Sequence, residues 1–277
     1  MANVRGGIIA LAFMLERMRS YAGGAEVRDV AAGGLVSALA VLAVVGFGVF
    51  CWWLTAVMAA DFYDGGMTSS AGGGLMSSFG AIFVMWAVMM AAMMIPSFLP
   101  SLLLFARWQK NKQAQPSAAA GRLWALTFGY LAAWAGFSFA AAVFQHSAQL
   151  NSALLLEHPL QRAGLLFAAG VFQFSRLKLR CLRGCRHPAL FFVLHWRGGA
   201  GGAFRMGMHN GALCVGCCGL LMALLFVGGV MDMRWIAALA LWALAEKTLP
   251  FSARKTAACA GLLLFAAAAW EVAAHYS

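Results

Sequence analysis

Residues 211–220 read GALCVGCCGL and place Cys214, Cys217 and Cys218 at positions i, i+3 and i+4 of an otherwise apolar run. At about 100° of rotation per residue, that spacing puts all three thiols on one face of a helix. Two more cysteines, Cys181 and Cys185, form a C-x3-C pair in a basic stretch upstream. Clustered reduced thiols point to metal binding or to redox chemistry. Thiolate and thioether are the side-chain ligands that select copper(I) and other soft ions.

A second soft-ligand feature lies further upstream. Met85, Met89 and Met93 recur every fourth residue and stack on one helix face, with Pro96 and Pro100 following. Each proline removes a backbone N–H and frees a carbonyl, kinking an apolar helix there. Met93 stands 14 residues before Arg107, and Cys218 stands 13 after Arg205. At about 1.5 Å per residue both reach a depth of about 20 Å from the same boundary. The candidate metal ligands are therefore Cys181, Cys185, Cys214, Cys217, Cys218, Met89 and Met93, with Glu246 added as an ionisable residue near the end of an apolar run.

Charge balance favours a metal. A bare thiolate in hydrocarbon is costly and stays protonated. A coordinated thiol is deprotonated, and the cation removes the cost. Two thiolates with copper(I) carry one net negative charge, which nearby arginines offset. Zinc is the alternative, with Cys181, Cys185, Cys214 and Cys217 as a four-cysteine set.

Each feature also has a purely structural reading. Gly207 and Gly211 share nearly the face of Cys214, as in a small-residue stripe where another helix approaches closely. Methionine commonly fills apolar cores. Glu246 suits a boundary ion pair with an arginine or with Lys255. Cys51 and Cys259 stand alone and read as small core residues. His209 points away from the cysteine face, and Asn210 is better placed.

The elements that must position these residues are apolar helices. The chain has 277 residues, 63% hydrophobic and only 10% charged. A soluble domain could not cover its surface with so few charges. The runs are solid rather than alternating, so the expected fold is an all-α polytopic transmembrane bundle, not a barrel. Seven spans are expected, roughly over Leu35–Met58, Met76–Phe105, Leu123–Phe144, Gln161–Leu177, Phe204–Val230, Met233–Leu249 and Ala257–Val272, the sixth being short. Residues 1–33 read as an N-terminal cytoplasmic or interfacial segment, with Ile8–Leu15 too short to span and without a cleavage site. Residues 34–277 form the transmembrane domain, including the basic connection 176–205.

Within that connection, Pro188–Trp196 reads as a short helix at the inner interface, and Gly198–Gly202 as a flexible joint. Ala71–Gly74 is a similar Gly-rich loop on the other side. Basic residues alternate between connections. They crowd into the N-terminal segment, the second connection, the fourth and the sixth, and are sparse in the others. By the positive-inside rule this places the N-terminus in the cytoplasm and the C-terminus in the periplasm. The net charge of +11 then reflects topology and contact with anionic lipid of the inner leaflet. Nucleic-acid binding would need a folded basic surface, and no segment supplies one.

Five stretches together resemble a known family. They are Trp86-x-x-Met89-Met90-Ala-Ala-Met93-Met94-Ile-Pro96-x-x-x-Pro100, Cys181-Leu-Arg-Gly-Cys185-Arg-His-Pro188, His195-Trp196-Arg197, Cys214-Val-Gly-Cys217-Cys218, and Glu246-Lys247 before Pro250. The chain resembles a bacterial family of predicted metal-binding integral membrane proteins, domain of unknown function 2182. The resemblance implies metal binding and a multi-pass protein of the bacterial inner membrane, and it implies no reaction.

The leading expectation is a soft-metal site, copper(I) first, serving transport, sequestration or delivery to a metalloprotein or membrane-complex partner. A membrane thiol–disulfide oxidoreductase using Cys214 and Cys217 is the second reading. A non-catalytic assembly subunit, with the Cys and Gly stripe as its packing face, is the third. No residue is assigned a catalytic role.

Overall fold

The computed structural model describes residues 27–63, 79–111, 116–147, 158–249 and 252–276. The Ile8–Leu15 segment, the Gly-rich 71–74 loop and most of the 1–33 region lie outside the described residues. Helices are the regular elements among those described: α1 (Val27–Tyr63), α2 (Phe79–Asn111), α3 (Pro116–Ser147), α4 (Pro159–Gln173), α5 (Arg176–Arg186), α6 (Pro188–His195), α7 (Gly199–Met222), α8 (Leu225–Gly228), α9 (Met233–Thr248) and α10 (Ala253–Tyr276).

Each of the seven expected segments coincides with a helix, but five of these helices are long and apolar enough to cross a membrane: Ala38–Asp61, Phe79–Gln109, Ser117–Ser147, Gly199–Gly228 and Ala253–His275. The other two are short. α4 has 15 residues and α9 has 16. At about 1.5 Å per residue they reach roughly 22–24 Å, less than the ~30 Å hydrocarbon core. The fourth segment also ends earlier than expected. α4 closes at Gln173, and Ser175 caps a new helix by accepting a 3.1 Å hydrogen bond from the Lys178 N–H. A serine side chain that satisfies an orphan N–H favours a helix start at that point over continuation.

The α3–α7 pair forms the centre. Between helices in lipid there is little hydrophobic driving force, so close van der Waals packing decides association. Small residues make that packing possible here. A Cβ on Gly207 would overlap the Leu126 carbonyl, and one on Gly129 would overlap the Phe204 carbonyl. The Gly207–Gly211 stripe of α7 thus faces α3. α1 and α2 flank α3 on one side. On the other, α4 and α10 pair through Arg162–Glu271 at 2.7 Å and through Phe265 against Phe167 and Phe174. α1 and α10 present large apolar side chains outward, Leu42, Phe50, Trp53, Leu262 and Trp270 among them. Apolar faces that extensive suit a lipid surround.

The short helices cap one end. α6 lies against the end of α2, with Trp196 stacked on Trp108 at 5.6 Å and Phe192 5.4 Å from Phe105. Gln109 takes a 2.9 Å hydrogen bond from Arg122 at the same end. α5 reaches α9 and α10 there, as Arg186 donates to the Glu246 carbonyl (2.6 Å) and to Thr256 (3.3 Å). Three basic connections therefore share one end of the bundle. The expected Gly198–Gly202 joint is instead the start of α7, with Gly198 as N-cap and Gly199 at φ 77°, a conformation that admits the turn out of α6.

Candidate metal centre

α5 and α7 meet at the cysteines. The amphipathic face of α5 turns Cys185 toward α7, whose Cys214, Cys217 and Cys218 are all buried. Cys185 Sγ lies 3.9 Å from Cys217 Sγ, and Cys217 Sγ lies 3.3 Å from Cys218 Sγ. The Cys217 thiol donates to the Cys214 carbonyl at 3.2 Å, and Cys214 interacts with the thiols of both Cys185 and Cys218. All seven cysteines are free thiols.

Three further side chains complete the site. Lys247 of α9 places Nζ 2.9 Å from Cys214 Sγ and donates to Ser97 Oγ of α2 at 2.9 Å. The Tyr130 hydroxyl of α3 sits 3.1 Å from Cys214 Sγ and 3.3 Å from the Met94 carbonyl. Ser97 in turn donates to that carbonyl at 3.0 Å. Cys214 is therefore the meeting point of α2, α3, α5, α7 and α9. Neither Lys247 nor Tyr130 is among the expected ligands, although Lys247 belongs to the Glu246-Lys247 stretch that carries the family resemblance. The available signals were a lysine beside Glu246 at the end of an apolar run, and a mid-span tyrosine whose hydroxyl needs a partner once buried.

The other expected ligands are placed differently. Cys181 lies one turn before Cys185 and rests against Gly216, where a Cβ would come within 2.8 Å of its sulfur. Both Glu246 oxygens accept from Lys178 Nζ, at 2.8 and 3.0 Å, with both side chains fully buried. Its partner is thus neither an arginine nor Lys255, because α5 carries Lys178 across the end of α9. Met89 and Met93 are buried in α2. Met94 reaches the site through its backbone carbonyl, which accepts from Tyr130, and α7 has its long interface with α3 rather than with α2. His209 is exposed and packs edge-on to His195 with ring centroids 4.5 Å apart, while Asn210 is buried. Cys51 is a buried core residue, as expected. Cys259 is exposed, because its face of α10 is turned outward.

On α5, contact with Cys214 holds the Cys185 thiol well above the usual range, and burial raises Cys181. Cys185 is therefore a neutral thiol until something displaces its proton. The donor set fits a soft ion. Two sulfurs bound to one metal at about 2.3 Å are at most about 4.6 Å apart. The Cys217–Cys218 and Cys185–Cys217 sulfur separations, 3.3 and 3.9 Å, fall inside that limit. Among the described residues, no group of three or more His, Cys, Asp or Glu side chains is already gathered around one point an ion could take. The thiols form a chain with the Lys247 ammonium at one end, so binding requires them to turn inward and the ammonium to yield.

A family model described as PpoB2, copper chaperone, matches residues 83–271, more than half of the chain. No curated protein and no solved structure matches.

Proposed function

The chain belongs to the PpoB2 copper-chaperone family, and from that premise we propose that it is an integral membrane protein that holds copper(I) on a buried thiol cluster and passes it to a partner protein. The observation that carries this reading is the convergence of Cys185, Cys214, Cys217 and Cys218 beside Lys247. Two thiolates, one copper(I) and one ammonium sum to zero charge. A neutral assembly is the arrangement a low-dielectric site tolerates best. Zinc, with two charges, would leave the same two thiolates and ammonium at +1. The four-cysteine zinc set also needs Cys181, which rests on Gly216 instead.

Seven crossings remain our reading of the chain, with α4 and α9 tilting little or thinning the bilayer around them. The shared end of the three basic connections supports a cytoplasmic placement for that end and a periplasmic C-terminus. The membrane would then be the bacterial inner membrane, with anionic lipid against the basic end. A cycling Cys214–Cys217 disulfide is not favoured: both sulfurs are buried, and such chemistry needs an accessible thiolate. A purely structural subunit would have no use for an ammonium set against a thiol.

The test is copper stoichiometry of the purified protein under reducing conditions. Cys214→Ser with Cys218→Ser should abolish stoichiometric copper(I) binding while the protein still inserts and folds. Serine keeps the size and removes the soft donor. Full copper content in the double variant would place the site elsewhere. A native protein without copper, but with a Cys214–Cys217 disulfide that cycles with quinone or thioredoxin, would favour the redox reading.

A further inference from the structure

A cavity of about 600 Å³ opens beside the thiol cluster, lined by Arg183, Arg186, His187 and Arg254, with Lys247 also on its wall. Among the described residues, none that lines it is acidic. The Glu246 carboxylate, on the residue before Lys247, is paired with Lys178, and Arg186 is tied to the Glu246 carbonyl and Thr256. Arg183, Arg254 and Thr248 are exposed at the rim. Lys247 is the one residue shared by the cavity and the sulfur cluster, since its Nζ lies on Cys214 Sγ.

This arrangement repels a bare cation. A free copper(I) ion approaching through the cavity would pass two rim arginines and then meet an ammonium standing on its first ligand. An anion would be drawn in. Clefts lined by one sign of charge change association rates by about 10- to 1,000-fold. The volume lies within the range of small-ligand sites and is too small for a folded donor protein. We propose that copper(I) reaches the cluster through this cavity as an anionic complex with small, carboxylate-bearing thiols. The inference rests on the copper reading above and names the form in which the cargo arrives.

The transfer is a ligand exchange. Two exchanges run in turn: a copper–sulfur bond to one carrier thiol breaks as one to Cys214 forms, and the bond to the second carrier thiol breaks as one to another thiol of the cluster forms. In each, the proton of a protein thiol leaves with the departing carrier thiolate, and copper remains in the +1 state. The guanidinium groups hold the carrier's carboxylates. Lys247 shifts from Cys214 to that negative charge, which opens the sulfur to copper. An anionic lipid headgroup would also be attracted to the rim, but it would give Lys247 no reason to stand on a thiol.

The experiment uses the purified full chain in zwitterionic lipid nanodiscs under anaerobic conditions. Copper(I) is supplied either as its anionic bis-glutathione complex or as its cationic acetonitrile complex, and loading is followed by stopped-flow absorbance of the copper–thiolate band. For the wild type, loading from the glutathione complex should slow steeply as salt rises. In Arg183→Glu/Arg254→Glu, the ratio of the glutathione rate to the acetonitrile rate should fall by at least about tenfold. Should charge reversal prevent folding, Arg183→Gln/Arg254→Gln should still lower that ratio severalfold. A ratio within twofold of wild type, or a salt-insensitive wild-type rate, overturns the proposal. So does an effect confined to retention of anionic lipid. If wild type takes copper from neither carrier, the copper reading itself fails and this inference falls with it.

Discussion

The Lys247 ammonium rests 2.9 Å from Cys214 Sγ, on the face of α7 that also carries Gly207 and Gly211. α9 and α7 have only a small interface, so this contact is the main chemical link between them. On the copper reading, it sets a cation directly against the first ligand of the metal.

Removing that cation should weaken copper binding. Lys247→Met keeps the apolar stem and deletes the charge. Hydrogen bonds to charged groups contribute about 1.5–3 kcal/mol, so copper(I) affinity should fall at least about tenfold. Competition with a chromogenic copper(I) chelator measures it. Unchanged affinity would mean that Lys247 serves folding alone.

The C-x3-C pair should divide. Cys185→Ser should lower copper affinity or stoichiometry, since Cys185 lies 3.9 Å from Cys217. Cys181→Ser should leave stoichiometry intact, since its sulfur faces Gly216. Equal losses in both variants would argue that α5 shifts by a turn on loading.

The Lys178–Glu246 pair should behave as a structural tie. Breaking a buried pair from one side costs about 3–5 kcal/mol because the other charge is stranded. Lys178→Met and Glu246→Leu should each lower the thermal unfolding midpoint strongly, and the double variant should recover most of the loss. Copper stoichiometry should survive Glu246→Gln. Loss of metal in that variant would return Glu246 to the ligand set.

Close approach of α3 and α7 predicts sensitivity at two glycines. Gly207→Ala and Gly129→Ala each force a methyl into backbone and should destabilise by about 1–3 kcal/mol, as overpacking does. Gly136→Ala, on the same helix as Gly129 but with open space around it, should be neutral. Thermal unfolding in detergent separates these outcomes.

A topology reporter fused after Ser277 should read as periplasmic, and one placed in 109–120 as cytoplasmic. A cytoplasmic C-terminus would reduce the crossings to an even number and remove one of the two short helices from the membrane.

Much of this was legible in the residues alone. Solid apolar runs required helices, because only a helix satisfies its own backbone in an apolar surround. The i, i+3, i+4 spacing required Cys214, Cys217 and Cys218 to share a face, because helical rotation is a local property. Gly207 and Gly211 announced close packing for the same reason. What no local rule could supply was the neighbour on that face. The tertiary structure set α3 against it, brought Tyr130 to Cys214, and buried Met89 and Met93 on α2. It also separated residues that are adjacent in sequence. Glu246 and Lys247 lie about 100° apart on α9, so one turns to Lys178 and the other to Cys214. Cys181 and Cys185, nearly stacked on α5, differ because α7 meets one sulfur with a glycine and the other with a thiol. Spacing along the chain determines which side chains point the same way. Only the crossing of packed helices decides what they point at.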